Sequence, residues 1–427
     1  MSSPAPAAAP AAAPAAAPDQ QQPAFRGVFG FIGGAVAKAV STTFIVLVVA
    51  AFVAQHVLDA KKTIIDAKTH SPEIVQARML ARFEAGSVIP PFEKYHVNRP
   101  EAVAMLQGVL RPALLKDYTV VIGEVGCGKT TAVLDAIRAN STGIVYHIVG
   151  AELPVDVPKR LAGSLAFAFN RFTFTAGYFK DRSVEMEQVT SAEEPFKSWA
   201  ILELGLRDVA AQFKAKHGHV ATLVIDAVDE IAQQGPALLH VIQDFAKAAA
   251  DKQLLNVVLV TSDGSTLPEL KESSAMTRAR VVEVGDLTDQ QAVTYLVRRD
   301  IHEDLAKRAV AEIAGGRLIL LNNLADDLLF KTVEQIFLEF HIGTRGALRR
   351  LFGDLAQISP PVSSTFCRLC RGAQHVDDVE EALGLDLTKK LLATNTNILA
   401  YHPDETYTLH SRHVQRSVAA LLNCTRP

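Results

Sequence analysis

Cysteine is scarce in this chain, with four residues among 427. That is too few for a disulfide framework at this length, and it favours a reducing compartment for the globular part. Two of the four, Cys367 and Cys370, form a C-x-x-C with His375 close by. No second C-x-x-C and no strand-helix setting accompanies it, so neither a zinc site nor a thioredoxin-like motif is expected there. Excess charge is missing as well. Lys and Arg number 43 against 46 Asp and Glu, a formal charge of -3, and this balance gives no global electrostatic case for nucleic acid. Residues 1–25 contain no Lys or Arg, which argues against an ordinary mitochondrial presequence or a secretory n-region there. They are almost all Ala, Pro, Gln and Ser, with a Pro-Ala-Ala-Ala repeat from Pro6 to Pro18. Such a composition cannot bury a core, and disorder is expected.

Apolar residues take over after that. From Gly27 to Leu58 the one charge is Lys38, and Ala39 to Leu58 is uncharged throughout. About 20 such residues suffice to cross a bilayer. The span predicts one N-terminal transmembrane helix, bounded by Lys38 and by Asp59, Lys61 and Lys62, with Gly27, Gly30, Gly33 and Gly34 forming a close-packing face or a re-entrant turn before it. A single-pass protein of an intracellular membrane, such as the mitochondrial or endoplasmic reticulum membrane, is the corresponding expectation.

The chemistry lies further on. Gly123-Glu124-Val125-Gly126-Cys127-Gly128-Lys129-Thr130 matches G-x-x-x-x-G-K-[ST], between the β-branched run Tyr118–Ile122 and a helical pattern from Thr131 to Asn140. Strand, loop and helix in that order are what a phosphate-cradling loop requires. The glycines let backbone N–H groups turn inward, and the following helix presents free amides and the positive end of its dipole. Lys129 is expected to reach the β- and γ-phosphates, Thr130 to hold Mg²⁺, and Thr131 to border the nucleotide. Cys127, at a helix N-terminus that lowers thiol pKa, is expected to be vulnerable to thiol reagents. Roughly 100 residues on, the apolar run Thr222–Ile225 ends in Asp226, followed by Asp229 and Glu230. A carboxylate at a strand's C-terminal end lies where open α/β sheets bind ligands, and Asp226 is the expected second Mg²⁺ holder. Glu230, with Asp229 as the alternative, is expected to position the attacking water. No Asn/Thr-Lys-x-Asp motif for guanine occurs, so ATP with Mg²⁺ is favoured.

Length implies two or three domains. Strand candidates at Ile144–Val149, Leu223–Asp226, Asn256–Thr261 and Arg280–Val284 alternate with helical patterns, which predicts an α/β fold, a parallel sheet with helices on both faces. Helices follow at Asp289–Arg299, Glu303–Ala314, Gly316–Phe330, Thr332–Phe340 and Arg345–Gln357, and Arg78–Leu115 should be mainly helical. The tail reads as two helical stretches, a strand-turn-strand around Ile398–Leu409 and a final helix, the outline of a winged helix. The expected division is therefore a disordered 1–25, a membrane segment 26–60, a helical linker 61–97, a P-loop domain 98–285, a helical lid 286–357 and a winged-helix-like domain 358–427. Basic residues of the tail (Lys389, Lys390, Arg412, Arg416) are sparse, so nucleic acid is a disfavoured partner. A protein partner, or self-association, through the C-terminal domain is the alternative.

On these residues the chain resembles ASCE-type P-loop ATPases of the STAND and AAA+ neighbourhood. It is most similar to the archaeal-type ATPase domain family, found also in membrane-anchored eukaryotic proteins. The resemblance covers roughly Asn98–Leu351 and rests on Asn98-Arg99-Pro100-Glu101, Gly123–Thr130, the Asp226-x-x-Asp229-Glu230 pattern and Val282–Asp289 at the lid boundary. It implies a γ-phosphate-sensing polar residue among Thr261, Ser262 and Asp263. The STAND lid usually carries Gly-x-Pro; here Gly315-Gly316-Arg317 stands instead, and Arg317 takes the place of a sensor arginine. Arg278 and Arg280 are arginine-finger candidates by position. The resemblance implies an ATPase whose lid and tail move with nucleotide state, or alternatively a nucleotide-gated scaffold with little hydrolysis; an origin-recognition-like DNA binder is a weaker third.

Overall fold

The computed structural model describes residues 53–59, 61, 71–92, 94–150, 153–167, 169, 195–262, 266–393, 396 and 398–424. Residues 53–59 form a helix that belongs to a separate unit from residues 67–427. Most of the expected span 39–58 lies outside the described residues, as do residues 1–25. Among the described residues no helix is long and apolar enough to cross a membrane.

The larger unit begins with α1 (Pro72–Ala85) and α2 (Pro100–Leu110), and each has a proline in its first turn. Proline is tolerated there because those N–H groups lack intrahelical partners in any case. Of the stretch 78–115 expected to be mainly helical, only the parts within Pro72–Ala85 and Pro100–Leu110 are helical, and the described residues among 86–99 are not. Gly86, at a φ of 71°, ends α1, and two prolines in sequence at 90 and 91 keep the chain extended.

Next come β1 (Tyr118–Ile122), α3 (Lys129–Ala139), β2 (Ile144–Ile148), α4 (Val157–Ser164), α5 (Phe196–His217), β3 (Ala221–Asp226), α6 (Asp229–Gln234), α7 (Pro236–Asp251), β4 (Leu255–Val260), α8 (Thr266–Glu272) and β5 (Ala279–Glu283). All five strands are parallel, in the order β2-β3-β4-β1-β5. The strand carrying the phosphate loop and the strand carrying Asp226 are thus separated by β4, the additional strand of the ASCE arrangement. Side-chain alternation sends Val120, Leu223 and Val257 to one face, packed with α5 and α7, and Val121, Val224 and Val258 to the other, packed with α2 and α3. Burial on both faces explains why these strands read as continuous apolar runs.

Beyond the sheet lie α9 (Asp289–Arg298), α10 (Glu303–Ala309) with a π turn at Val310–Ala314, α11 (Leu318–Asp327) and α12 (Val333–Phe352). Their own core includes Tyr295, Leu296, Ile313, Leu321, Leu324 and Ile336. Thr288 and Thr332 open α9 and α12 with full capping boxes, each supplying two orphan backbone donors with partners. The expected break between Phe340 and Arg345 is absent. One 20-residue helix runs through Gly343, whose intrinsic cost of about 1 kcal/mol is outweighed by the burial of Thr344, Ala347 and Leu348.

The C-terminal module comprises α13 (Pro360–Leu369), β6 (Gln374–His375), α14 (Val376–Leu383), α15 (Leu385–Leu392), β7 (Leu399–Tyr401), β8 (Thr406–Leu409) and α16 (Arg412–Leu421). β8 pairs antiparallel with both β6 and β7, so the helices, wing and final helix follow the winged-helix outline. Cys367 on α13 is bonded to Cys424, 57 residues away, beyond α16, a single disulfide that the sequence reading did not include. A pairing so distant in sequence leaves no spacing signal, whereas the nearer C-x-x-C suggested itself without being bonded. Cys127 and Cys370 are the free thiols.

Candidate nucleotide site

The loop between β1 and α3 is held from outside its own segment. Arg99 donates from Nη1 to the Cys127 carbonyl at 2.9 Å and from Nη2 to the Gly285 carbonyl at 2.6 Å, tying the phosphate loop to the end of β5. The Cys127 thiol donates to the Val284 carbonyl at 3.1 Å. It is fully buried, and burial raises its pKa, with Lys129 nearby only partly opposing this. The expected reactivity of Cys127 is therefore corrected: desolvation of the thiolate outweighs the helix N-terminus.

Gly126 has to be glycine on two counts. Its φ is 76°, and a Cβ there would lie 2.2 Å from Ile319 Cγ2 of the lid. The lid indeed rests directly on the loop, since Ile319 N donates to the Gly126 carbonyl at 3.0 Å. Gly316 has a different reason, because a Cβ there would stand 1.8 Å from the Leu287 carbonyl oxygen.

Lys129 opens α3 with only 3% of its surface exposed. Its Nζ folds back onto the loop and donates to the Glu124 carbonyl at 3.0 Å. Thr130 Oγ1 donates to Asp226 Oδ2 at 2.9 Å. Asp226, 1% exposed at the end of β3, also accepts from the Tyr146 hydroxyl at 2.7 Å and, on Oδ1, from Ala227 N at 2.7 Å. Tyr146 on β2 has no motif to announce it. Burial, then the adjacent Asp226 carboxylate, raises its pKa, so it remains the donor. Ala227 follows at a φ of 61°, an uncommon conformation for a side chain with Cβ. This bend redirects the chain so that Asp229 Oδ1 accepts from Thr261 Oγ1 at 3.3 Å and from Ser262 N at 3.0 Å. Glu230, half-buried, carries no such side-chain contact among the described residues. Asp263 lies outside the described residues.

Beside the loop opens a cavity of about 340 Å³ bordered by Gly126, Gly128 and Thr131, by Tyr95 and His96, and by Tyr295 and Asn322 of the lid. Arg138 stacks on Phe92 at 3.8 Å, and Arg299 on Tyr95 at 4.3 Å. His96 pairs with Asp135 on α3. This volume lies within the range of small-molecule sites, and it is contiguous with the phosphate loop.

Arg317 faces elsewhere. It is 3% exposed, and its guanidinium donates from Nε to Asp286 Oδ1 at 2.7 Å and from Nη2 to the His410 carbonyl at 2.9 Å. Nη1 lies 2.8 Å from His410 Nε2 and 3.4 Å from the Val125 carbonyl. His410 Nε2 is also 3.3 Å from Glu124 Oε2. One nitrogen cannot serve both neighbours: a neutral ring protonated on Nδ1 accepts from Arg317, whereas a charged ring donates to Glu124. Lid, winged helix and phosphate loop therefore meet at one cluster around the buried Arg317. His410 was not legible as a site residue, because its partners Arg317 and Glu124 lie far from it in sequence; Asp286 falls in the lid-boundary segment Val282–Asp289, but its pairing with Arg317, 31 residues on, leaves no local signal. Arg278 is paired with Asp251 at 3.1 Å, and Arg280 is exposed on edge strand β5.

No protein-family model matches the chain, and no curated protein matches it. The solved structures to which it is similar include three P-loop proteins. A Walker-type ATPase of Pyrococcus abyssi is 16% identical with a TM-score of 0.45, covering 79% of this chain and 99% of that one. The ORC1 protein of Aeropyrum pernix, in complex with DNA, is 16% identical with a TM-score of 0.37, covering 76% and 93%. The RuvB Holliday junction branch migration motor of Thermotoga maritima is 13% identical with a TM-score of 0.34, covering 78% and 96%. At these scores the likenesses assign no residue role; the loop, the sheet order and the Thr130–Asp226 contact make the fold that of a P-loop NTPase of the ASCE arrangement.

Proposed function

We propose that this chain is an ATP-binding P-loop ATPase whose lid and winged helix respond to nucleotide state, held at a membrane by its N-terminal apolar segment. The observation that carries the reading is Thr130 on Asp226 at 2.9 Å, with Lys129 enclosed in the loop beside them. Phosphates fit against the loop amides and the α3 N-terminus, with Lys129 turning from the Glu124 carbonyl to meet them, and the base takes the cavity by Tyr95 and Tyr295. Mg²⁺ fits the same place: Thr130 and Asp226 offer hard oxygen donors, and the ion when bound would neutralise phosphate charge. Glu230 is the free carboxylate for orienting water, while Asp229, engaged by Thr261 and Ser262, links that carboxylate to β4. The STAND-like subclass rests on the Asp226-x-x-Asp229-Glu230 pattern together with a winged helix that reaches the loop through His410.

A second reading, a nucleotide-gated scaffold with slow hydrolysis, is favoured by the lid resting on Gly126 and by Arg317 being engaged away from the loop interior. DNA binding has less support. Arg412 and Arg416 on α16 are paired internally with Asp289 and Glu312.

Lys129→Ala in the folded chain is expected to weaken ATP by about 1.5–3 kcal/mol, roughly one to two decades in affinity; unchanged binding would refute the site. Glu230→Gln is expected to retain binding and abolish turnover. No turnover by the unaltered chain, with binding intact, would select the scaffold. The membrane part is checked separately: the full chain is expected to resist alkaline carbonate extraction, and a chain starting at Ser71 to stay in solution without detergent.

A further inference from the structure

The outward face of α12 differs from that of an ordinary solvated helix. Leu338, Ile342, Arg345 and Arg349 follow one another at spacings of four, three and four residues, so they form one stripe along the helix. The stripe lies opposite Ile336 and Ala347, which are buried. Leu338 is 56% exposed and Ile342 61%, with Arg345 and Arg349 exposed beyond them. Phe330, 87% exposed, joins the apolar end: it stands next to Lys331, whose Nζ meets Glu339 Oε2 of α12 at 2.8 Å. Three large apolar side chains are thus gathered in water, where a single one would need no explanation.

Charge decides what covers this face. Both carboxylates of α12 are engaged, Glu334 by Arg308 and Glu339 by Lys331. Arg345 and Arg349 have no side-chain partner among the described residues, so the apolar end runs into one of unbalanced positive charge. A second copy does not match it: antiparallel pairing sets guanidiniums on leucine and isoleucine, and parallel pairing sets them on each other. Nucleic-acid phosphates match the arginines but leave the apolar group in water. An anionic bilayer surface supplies both, phosphates for the guanidiniums and hydrocarbon just beneath for the apolar side chains. We propose that α12 and the adjoining Phe330 dock onto an anionic phospholipid surface, with Phe330, Leu338 and Ile342 entering the headgroup–acyl boundary and Arg345 and Arg349 on lipid phosphates. The choice of a membrane rests on the anchoring reading above, and the docking is a second, separable attachment. Because Phe340 of α12 stacks on His413 of α16, it would hold lid and winged helix at the surface together.

The test uses residues 67–427, the compact unit that holds all of the buried core described above, so that no outcome depends on the apolar anchor. Flotation with vesicles of phosphatidylcholine alone, and of equimolar phosphatidylcholine and phosphatidylserine, measures the docking. Binding to the phosphatidylserine vesicles is expected to exceed that to phosphatidylcholine by about tenfold or more and to fall as salt rises. Arg345→Gln and Arg349→Gln are each expected to weaken it about fivefold, and Ile342→Ser about tenfold. Glu339→Gln removes a carboxylate beside the stripe and is expected to tighten binding, a gain that misfolding cannot imitate. Failure to float with phosphatidylserine vesicles overturns the proposal, as does equal binding to both vesicles or an affinity unmoved by both Arg349→Gln and Ile342→Ser. A dimer in solution that Ile342→Ser dissociates also overturns it and assigns the face to a second copy. Carbonate extraction of the full chain reports the anchor alone, so each attachment can fail without the other.

Discussion

Single side chains decide what is reactive in this molecule. Cys127 would be the expected thiol target from its place in the loop, yet burial raises its pKa. Burial likewise pushes Cys370 up to about 11. With Cys367 and Cys424 joined, the native chain is expected to react very slowly with a thiol reagent at pH 8. Denaturation without reductant should expose two thiols, and denaturation with reductant four. A fast single thiol in the native protein that disappears in Cys127→Ser, and not in Cys370→Ser, would mean that Cys127 is accessible and that its packing against Val284 is wrong. The same contrast between motif and environment applies to the carboxylates. Asp226, Asp229 and Glu230 are equally acidic in sequence, but Asp226 receives three hydrogen bonds and Asp229 two. Apart from the one donated by the adjacent Ala227 N, those bonds come from β2, α3 and the residues just past β4, which no local pattern connects to the Asp226 segment.

At the scale of elements, the sheet was readable because its inner strands β1, β3 and β4 are buried along their whole length; every expected strand of the sheet recurs within two residues. The phosphate loop was readable because its chemistry is local. What the sequence hid are long-range effects: Cys424 meeting Cys367, Tyr146 meeting Asp226, and α12 continuing through Gly343 because its burial pattern persists. Helix α16 shows how such contacts set stability. His413 on it stacks on Phe340 at 4.5 Å, and burial, with His410 and Arg317 adding repulsion, lowers its pKa to about 4. His147 on β2 is lowered to about 4 by burial and by Arg160. For both, the folded pKa is depressed, so the neutral ring's contribution is present above the ordinary value of 6.5 and lost as pH falls toward 4. His402 runs the other way, because Glu283 raises it; its contribution is present below 6.5 and lost as pH rises through the higher folded value. Denaturant unfolding of the chain is expected to show falling stability from pH 6.5 to 4, with His413→Asn flattening that slope. For one histidine the full effect is on the order of 3 kcal/mol. An unchanged slope in His413→Asn would remove His413 from the account.

Across the larger unit, the phosphate loop, lid and winged helix share one cluster of Glu124, Arg317, Asp286 and His410, which under the proposed function is the contact through which nucleotide state would reach the C-terminal module. In the structure Arg317 is engaged by Asp286 and His410. If Arg317 senses a γ-phosphate, its guanidinium must leave His410, and nucleotide and winged helix would then compete for one cation. A ligand shifts such an equilibrium only through its differential affinity for the two arrangements. Arg317→Ala is therefore expected to weaken ATP about tenfold or more relative to ADP, the loss of a charge-assisted contact that ADP never makes. His410→Ala acts with the opposite sign: it frees the guanidinium and should tighten ATP while leaving ADP nearly unchanged. Parallel isothermal titrations of both nucleotides against both variants measure this directly. Equal losses for ATP and ADP in Arg317→Ala would make the residue a lid strut, and an unchanged ATP affinity in His410→Ala would separate the winged helix from nucleotide sensing altogether.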